Sequence, residues 1–185
     1  MDTANRALDE WLALRCQSGE PDAFEDLLAA MERPLLYYAT KLLGSEERAL
    51  DALQDVWIRV FRGIRKLKDP ASLRPWLYRL AHGTVVDRIR RDASRQQAET
   101  EPADDLPDPA DVTFSNDDAA AIHDALDALP LIHREVLVLH FLEDFSVAAI
   151  AAVVGCPEGT VKSRIYHAKK EMKEILSRGG YGTKR

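Results

Sequence analysis

Residues 146–175 read SVAAIAAVVGCPEGTVKSRIYHAKKEMKEI, and this stretch decides the fold of the C-terminal part of the chain. Ser146 can cap a short apolar helix, and Gly155 can end it, because glycine adopts the left-handed backbone conformation without steric cost. Pro157 then opens a longer, basic helix. A short helix, a glycine-containing turn and a longer helix together predict a helix-turn-helix.

The longer helix of this motif has two different faces. At 100° per residue its apolar side chains fall on one stripe, which consists of Val161, Ile165, Ala168, Met172 and Ile175. The opposite face carries cations, hydrogen-bond donors and an aromatic ring, from Lys162, Ser163, Tyr166, His167, Lys170 and Lys173. A recognition helix needs this division, because one face packs on its own domain while the other enters the major groove. The pattern therefore favours binding to duplex DNA.

The rest of the C-terminal part, over residues 115–178, predicts two further helices, making four in all. Ser115 or Asn116 can cap the first of them, which Pro130 ends. The second runs to about Leu142.

Residues 1–92 also predict about four helices. Glycine and proline break the chain near positions 19, 44 and 70. The third helix has one apolar face at helical spacing, made of Ala49, Leu53, Val56, Trp57, Val60 and Ile64. Pro75 suits the first turn of a helix running toward Arg91. Because no segment alternates like a strand and no hairpin turn signal occurs, we predict an all-α fold.

The net charge of −6 hides an uneven distribution along the 185 residues. Residues 93–114 hold one basic and six acidic residues together with three prolines, whereas residues 62–91 and 160–185 carry net charges of +7 and +6. The acidic segment predicts a flexible linker between two small helical domains, 1–92 and 115–178. A surface loop packed on one domain is the alternative. The two basic segments suit a polyanionic partner, and the tail, 179–185, is expected to fray.

Several functional classes are disfavoured by the sequence. It holds no phosphate-binding loop, zinc-protease motif or serine-hydrolase elbow. Neither Cys16 nor Cys156 has the spacing of a redox or zinc motif, and His123, His133 and His140 do not form a metal set. No apolar run is long enough to span a membrane. We therefore expect no catalytic residue, metal or cofactor, no membrane insertion, and a cytoplasmic location.

The run from Pro130 to Arg164, most specifically GCPEGTVKSR at 155–164, resembles region 4 of bacterial RNA polymerase sigma factors. The resemblance is to the extracytoplasmic-function (ECF) group of the sigma-70 family. In that family this domain reads the −35 promoter element. The resemblance implies that the reading positions are Gly159, Thr160, Lys162, Ser163, Arg164, Tyr166, His167 and Lys170. His167 stands where family members often have arginine.

The N-terminal part is similar to sigma region 2. ALDALQDVWIRVF at 49–61 resembles the segment that docks on core polymerase, which implies docking residues Asp51, Gln54, Asp55 and Arg59. Residues 69–81 and 82–91 resemble the segments that open the −10 element and hold its unpaired strand. The implied −10 residues are Arg74, Trp76, Arg79, His82, Gly83, Asp87, Arg90 and Arg91. Gly83 stands where the family commonly has asparagine, and His82 where it often has arginine.

The resemblance implies a sigma factor, which binds bacterial core RNA polymerase, directs it to promoter DNA through the −35 and −10 elements and helps melt the −10 region. It also implies control by an anti-sigma factor and no catalysis by the chain itself. The alternative is an autonomous helix-turn-helix regulator that binds duplex DNA without polymerase. In that case residues 20–92 would be a dimerisation or sensing module.

Overall fold

The computed structural model describes residues 3–99 and 118–178, and over these two ranges it is helical with no strand. The N-terminal domain contains α1 (Thr3–Ser18), α2 (Ala23–Leu43), α3 (Glu46–Gly63) and α4 (Leu73–Glu99). Two short 3-10 turns, Ile64–Lys66 and Pro70–Ser72, connect α3 to α4.

The C-terminal domain contains α5 (Asp118–Asp127), α6 (Leu131–Leu137), α7 (Val147–Val154) and α8 (Glu158–Arg178). Helix α6 continues into a π-helical turn, Val138–Leu142, so the helical segment ends at the predicted residue. The predictions of an all-α fold and of a helix-turn-helix are confirmed.

Local sequence signals explain where these helices begin and end. Ser146 Oγ accepts a hydrogen bond from the Ala149 N–H at 3.1 Å, which caps α7. Gly155 ends α7 with φ +69°, and Gly44 ends α2 with φ +68°. In each case the glycine N–H bonds a carbonyl of the preceding helical turn. These positive φ angles are the reason for glycine at both positions.

Each domain buries the apolar face that its sequence predicts. In α3 the predicted stripe is buried, except that Trp57 is half-buried and packs edge-on against Phe24, with ring centroids 6.0 Å apart. In α8, Val161, Ile165 and Ala168 are buried, while the later residues of the stripe are half-buried. The packing of α8 therefore leaves its other face available to a partner.

The predicted start of the linker at Ala93 needs correction. Helix α4 continues to Glu99, seven residues into the predicted linker. The reason is local composition, because residues 93–99 read ASRQQAE, which is rich in helix formers, and the first proline comes only at Pro102. The remaining linker residues 100–114, the proposed cap at 115 or 116 and the predicted frayed tail lie outside the described residues.

The two domains pack against each other. Helix α4 lies against α7, and α2 against α6. At the centre, the Tyr78 ring meets the Phe145 ring edge-on with centroids 5.1 Å apart, and Tyr38 meets Tyr78 at 5.2 Å. The buried apolar residues of both domains therefore form one continuous core.

Replacing Gly83 with alanine is expected to stabilise the protein. Gly83 lies well inside α4, and a Cβ atom there would meet no heavy atom within 4 Å beyond its chain neighbours and the adjacent backbone of its own helix. Removing a mid-helix glycine without a clash raises the free energy of unfolding by about 0.5–1 kcal/mol. Urea unfolding followed by circular dichroism measures this change.

Gly155→Ala is the matched control for this substitution. It also has open space around it, but its φ of +69° strains any residue with a Cβ. We expect this variant to lose about 1 kcal/mol. A Gly83→Ala protein that unfolds more easily than the wild type would mean that α4 needs a bare backbone at this position.

Candidate functional site

Helix α8 presents an open polar face. Of the eight residues predicted to read the −35 element, six are exposed: Gly159, Lys162, Ser163, Tyr166, His167 and Lys170. The remaining two, Thr160 and Arg164, are half-buried. Tyr166 keeps 67% of its surface exposed, although a tyrosine ring is largely apolar. The structure thus brings cations, hydroxyl groups and an aromatic ring together on one helix face, in a form that a major groove can accept.

His133 of α6 contacts α8 next to the exposed polar face of that helix. His133 Nδ1 lies 2.7 Å from Glu171 Oε2, and the rings of His133 and His167 are nearly parallel with centroids 6.5 Å apart. His133 therefore holds an acidic side chain of α8 beside the predicted reading residues. Sequence reasoning missed this contact, because the two partners are 38 residues apart and no local pattern links them.

One side of α4 is polar and accessible. Arg79, Asp87 and Arg90 are exposed, and with the half-buried Gly83 their spacing places them along one stripe of the helix. Arg91 is also exposed and donates from Nε to the Asp87 carbonyl at 3.2 Å. This part of the predicted −10 surface faces solvent.

Arg74, another predicted −10 residue, is engaged inside the protein. Its Nε and Nη2 donate to the two carboxylate oxygens of Asp9 at 2.9 and 3.1 Å, and Asp9 is fully buried. Glu143 of the C-terminal domain lies 3.6 Å from Nη1. Burial lowers the pKa of Arg74, but its hydrogen bonds to Asp9 and the negative charge of that carboxylate outweigh burial, so the pKa is raised overall and the guanidinium stays charged.

His82 and Trp76, two further predicted −10 residues, also make contacts within the protein. His82 Nδ1 lies 2.6 Å from Glu135 Oε1, across the domain boundary. Trp76 is half-buried, and its ring packs closely on Gly63. A Cβ atom at position 63 would lie only 3.1 Å from that ring. Part of the Trp76 side chain thus serves packing, and part remains accessible.

Helix α3 carries the predicted polymerase-docking residues on its exposed side, namely Asp51, Gln54, Asp55 and Arg59. Two carboxylates one turn apart repel each other, and Arg88 of α4 relieves this repulsion. Its Nη2 donates to Asp55 Oδ2 and to the Asp51 carbonyl, both at 2.8 Å. The two aspartates nevertheless keep half or more of their side-chain surface exposed.

Sequence reasoning missed an apolar strip beside these polar residues. Leu50, Ile58 and Phe61 are 44%, 50% and 68% exposed, and helical spacing places them with Gln54 on one side of α3. Exposed apolar side chains grouped in this way mark a protein-binding surface. The available signal was their position outside the core stripe of α3.

No group of three or more histidine, cysteine or acidic side chains is arranged to hold a metal ion in residues 3–99 and 118–178. Among the helices of these ranges, none is both long and apolar enough to cross a membrane. Cys16 is buried and its Sγ donates to the Ala23 carbonyl at 3.2 Å, and burial raises the pKa of its thiol.

Comparison with known proteins matches both domains. Residues 27–95 match the family described as Sigma-70 region 2, and residues 119–172 match Sigma-70, region 4. The ECF RNA polymerase sigma factor SigM of Mycobacterium tuberculosis is 32% identical over 159 residues, which cover 86% of this chain and 80% of SigM.

Solved structures show the same fold. The structure of CnrH in complex with the cytosolic domain of CnrY gives a TM-score of 0.65 at 25% identity, covering 92% of this chain and 97% of that one. The sigma factor RpoE from Bartonella quintana, solved with the anti-sigma factor NepR, gives 0.69 at 23% identity. That match covers 84% of this chain and 98% of RpoE.

Proposed function

Because the chain belongs to the ECF group of the sigma-70 family of RNA polymerase sigma factors, we propose a role for each of its exposed faces. Helix α3 docks on core polymerase, the open stripe of α4 contacts the −10 element, and α8 reads the −35 element. The observation that carries this proposal is the division of α8. Its apolar stripe packs into the domain, while Lys162, Ser163, Tyr166 and Lys170 are exposed.

The docking face on α3 combines two kinds of contact. Asp51, Gln54 and Asp55 offer acceptors for a basic partner surface, and the strip containing Ile58 and Phe61 offers apolar area that association would bury. Charged rim residues steer the encounter, whereas buried aromatic and aliphatic side chains supply most of the affinity. This division assigns specificity to the acids and affinity to the apolar strip.

The −10 surface on α4 suits a single strand of DNA. Arg79, Arg90 and Arg91 supply positive charge along the helix, which follows a phosphate backbone. Trp76 offers a partly accessible ring on which a base can stack. Melting costs a few kcal/mol of unstacking, which the captured strand must offset with such contacts.

We also propose that the chain has no catalytic activity of its own, works in the cytoplasm without a cofactor, and is inhibited by an anti-sigma factor. The family implies the inhibitor, and RpoE, which shares the fold, was solved with one.

The test is binding of the purified protein to bacterial core RNA polymerase without DNA. We expect submicromolar binding that is lost when Asp51, Gln54 and Asp55 are all replaced by alanine. The matched control replaces Glu46 and Glu47, two exposed acids in the first turn of the same helix, with alanine. Tight duplex-DNA binding without any polymerase binding would instead establish the autonomous regulator.

A further inference from the structure

We propose that His133 of α6 is a positioning residue for the reading of the −35 element. It holds the carboxylate of Glu171 against α6 and thereby keeps the ring of His167 free for the bases. This inference rests on the proposed function, since it concerns the face of α8 that is assigned there to the −35 element. It follows from two contacts that join α6 to α8.

The hydrogen bond between His133 and Glu171 has a defined direction. His133 Nδ1 lies 2.7 Å from Glu171 Oε2. An ionised carboxylate only accepts hydrogen bonds, so the proton of the histidine ring must be on Nδ1. The His133 side chain is 16% exposed, whereas that of Glu171 is 40% exposed. The histidine is therefore the fixed partner, and the glutamate is the side chain that is held in place.

Glu171 lies at the edge of the polar face of α8. At 100° per residue, counted from the centre of the apolar stripe, Lys170 lies at about 180°, His167 at about 240° and Glu171 at about 280°. Lys170 therefore points away from the domain, while Glu171 lies on the flank that meets α6. The His167 ring stands between them and is exposed.

Without His133, the carboxylate of Glu171 has another donor one turn away on its own helix. His167 precedes it by four residues, a spacing at which side chains of neighbouring turns meet. The His167 ring already lies nearly parallel to that of His133, with centroids 6.5 Å apart. A hydrogen bond to Glu171 would take a ring nitrogen of His167 away from the base edges. His133 prevents this exchange because it occupies the carboxylate.

Glu174 provides a matched control on the same helix. It is exposed, and in the part of the chain that the structure describes its side chain makes no hydrogen bond or ion pair. Its replacement with alanine removes the same charge as that of Glu171, but from a side chain that His133 does not hold. Any effect of Glu171→Ala that Glu174→Ala reproduces is therefore due to net charge alone.

Nitrogen-15 NMR of the histidine side chains of the free chain tests the arrangement without polymerase or DNA. We expect the neutral His133 ring to carry its proton on Nδ1, since the hydrogen bond of a histidine selects its tautomer. This preference should be lost in Glu171→Ala and retained in Glu174→Ala. His133→Ala identifies the signal. A His133 ring protonated on Nε2 in the wild type would overturn the proposal.

A double-mutant cycle tests the effect on DNA. The probe is the holoenzyme with a promoter that it has selected from a random library, and the readout is the ratio of its dissociation constants for a −35-scrambled variant and for that promoter. His133→Ala is expected to lower this ratio about fivefold, which corresponds to one partly exposed charged interaction of about 1 kcal/mol. Adding Glu171→Ala should restore the ratio, because the acid that diverts His167 is then absent. Glu171→Ala alone should leave it unchanged.

Three further variants separate positioning from packing. Glu174→Ala should not restore the ratio in the His133→Ala protein. His133→Asn, whose amide N–H can replace the Nδ1–H donor, should keep most of it. His140→Ala removes a histidine ring from the same domain and should leave the ratio unchanged, because His140 Nδ1 faces the Phe145 carbonyl at 3.2 Å.

Two results of the cycle would overturn the proposal: an unchanged ratio in His133→Ala, or a loss that Glu171→Ala does not restore. The second would mean that His133 serves only the packing of α6 on α8. The variant with alanine at positions 162 and 163 keeps this test apart from the proposed function. If that variant loses discrimination while the cycle shows no coupling, α8 reads the −35 element and only the role of His133 is wrong. If no variant of α8 changes the ratio, the assignment of the reading face is itself wrong, and the proposal falls with it.

Discussion

Replacing both Ile58 and Phe61 with alanine is expected to weaken binding to core RNA polymerase by about 100-fold. Truncating an interface side chain that becomes fully buried costs 1–2 kcal/mol or more, and 1.4 kcal/mol is a factor of ten. Both side chains are at least half exposed in the free protein, so the fold loses little when they are shortened. Biolayer interferometry with immobilised core polymerase measures the dissociation constant.

The matched control is a pair of exposed apolar side chains on another helix. Leu8 and Trp11 of α1 are 46% and 51% exposed, and their replacement with alanine should leave polymerase binding unchanged. Equal losses of polymerase affinity in the two double variants would show that polymerase binds exposed apolar side chains without preference, or binds α1. Either result would contradict the assignment of α3 as the docking face. An unchanged affinity in the α3 variant would leave only the acids as docking residues.

The contrast between the acids and the apolar strip of α3 shows what sequence can predict. Helical spacing predicted the core stripe, which the structure confirms, and the family resemblance predicted Asp51, Gln54 and Asp55 as docking residues, which stays a prediction. Neither source singled out Phe61, because a position outside the core stripe does not by itself show whether a neighbouring helix covers the side chain. Exposure depends on which neighbouring helices cover the side chain, and Phe61 stays 68% exposed although the Phe24 ring packs at right angles to its ring, with centroids 5.3 Å apart.

Helix ends were predictable because their causes are local. Ser146, Gly155 and Pro75 act on the backbone within one turn, and the structure places each where its chemistry predicts. The predicted start of the linker at Ala93 was wrong for a related reason. The prediction rested on the acidic, proline-rich composition of the whole segment. The helix-forming residues at its beginning are nevertheless enough for α4 to continue to Glu99.

The contacts between the domains could not be predicted from the sequence. Glu135 follows the polar residues His133 and Arg134 in the sequence, yet it meets Tyr38, 97 residues away, and no periodicity links the two. Arg74 fits a family position for DNA contact, yet the structure pairs it with Asp9. Burial raises the pKa of Glu143 beside it, with Tyr78 and Arg74 acting in the opposite direction, which reflects packing between helices of both domains. Such effects depend on tertiary structure alone.

Lys162→Ala combined with Ser163→Ala is expected to reduce the discrimination between a promoter and a variant scrambled at its −35 element by about 10- to 100-fold. A direct contact to a base edge contributes about 1–3 kcal/mol of discrimination, and both side chains lie exposed in the first turns of α8, where a recognition helix meets the bases. The measurement is fluorescence anisotropy of the holoenzyme with promoters that it has selected from a random library.

Lys169→Ala separates recognition from general charge. Lys169 is on the same helix, but its ammonium group lies over the Phe141 ring, 4.8 Å from the centroid. Losing this cation should weaken binding to both promoters by the same factor, so the ratio of the two dissociation constants should stay unchanged. The reason is that a charge that acts only through phosphates carries no sequence information. If the variant with alanine at positions 162 and 163 also weakened binding to both promoters equally, α8 would contact only the phosphate backbone. The bases of the −35 element would then have to be read by other residues.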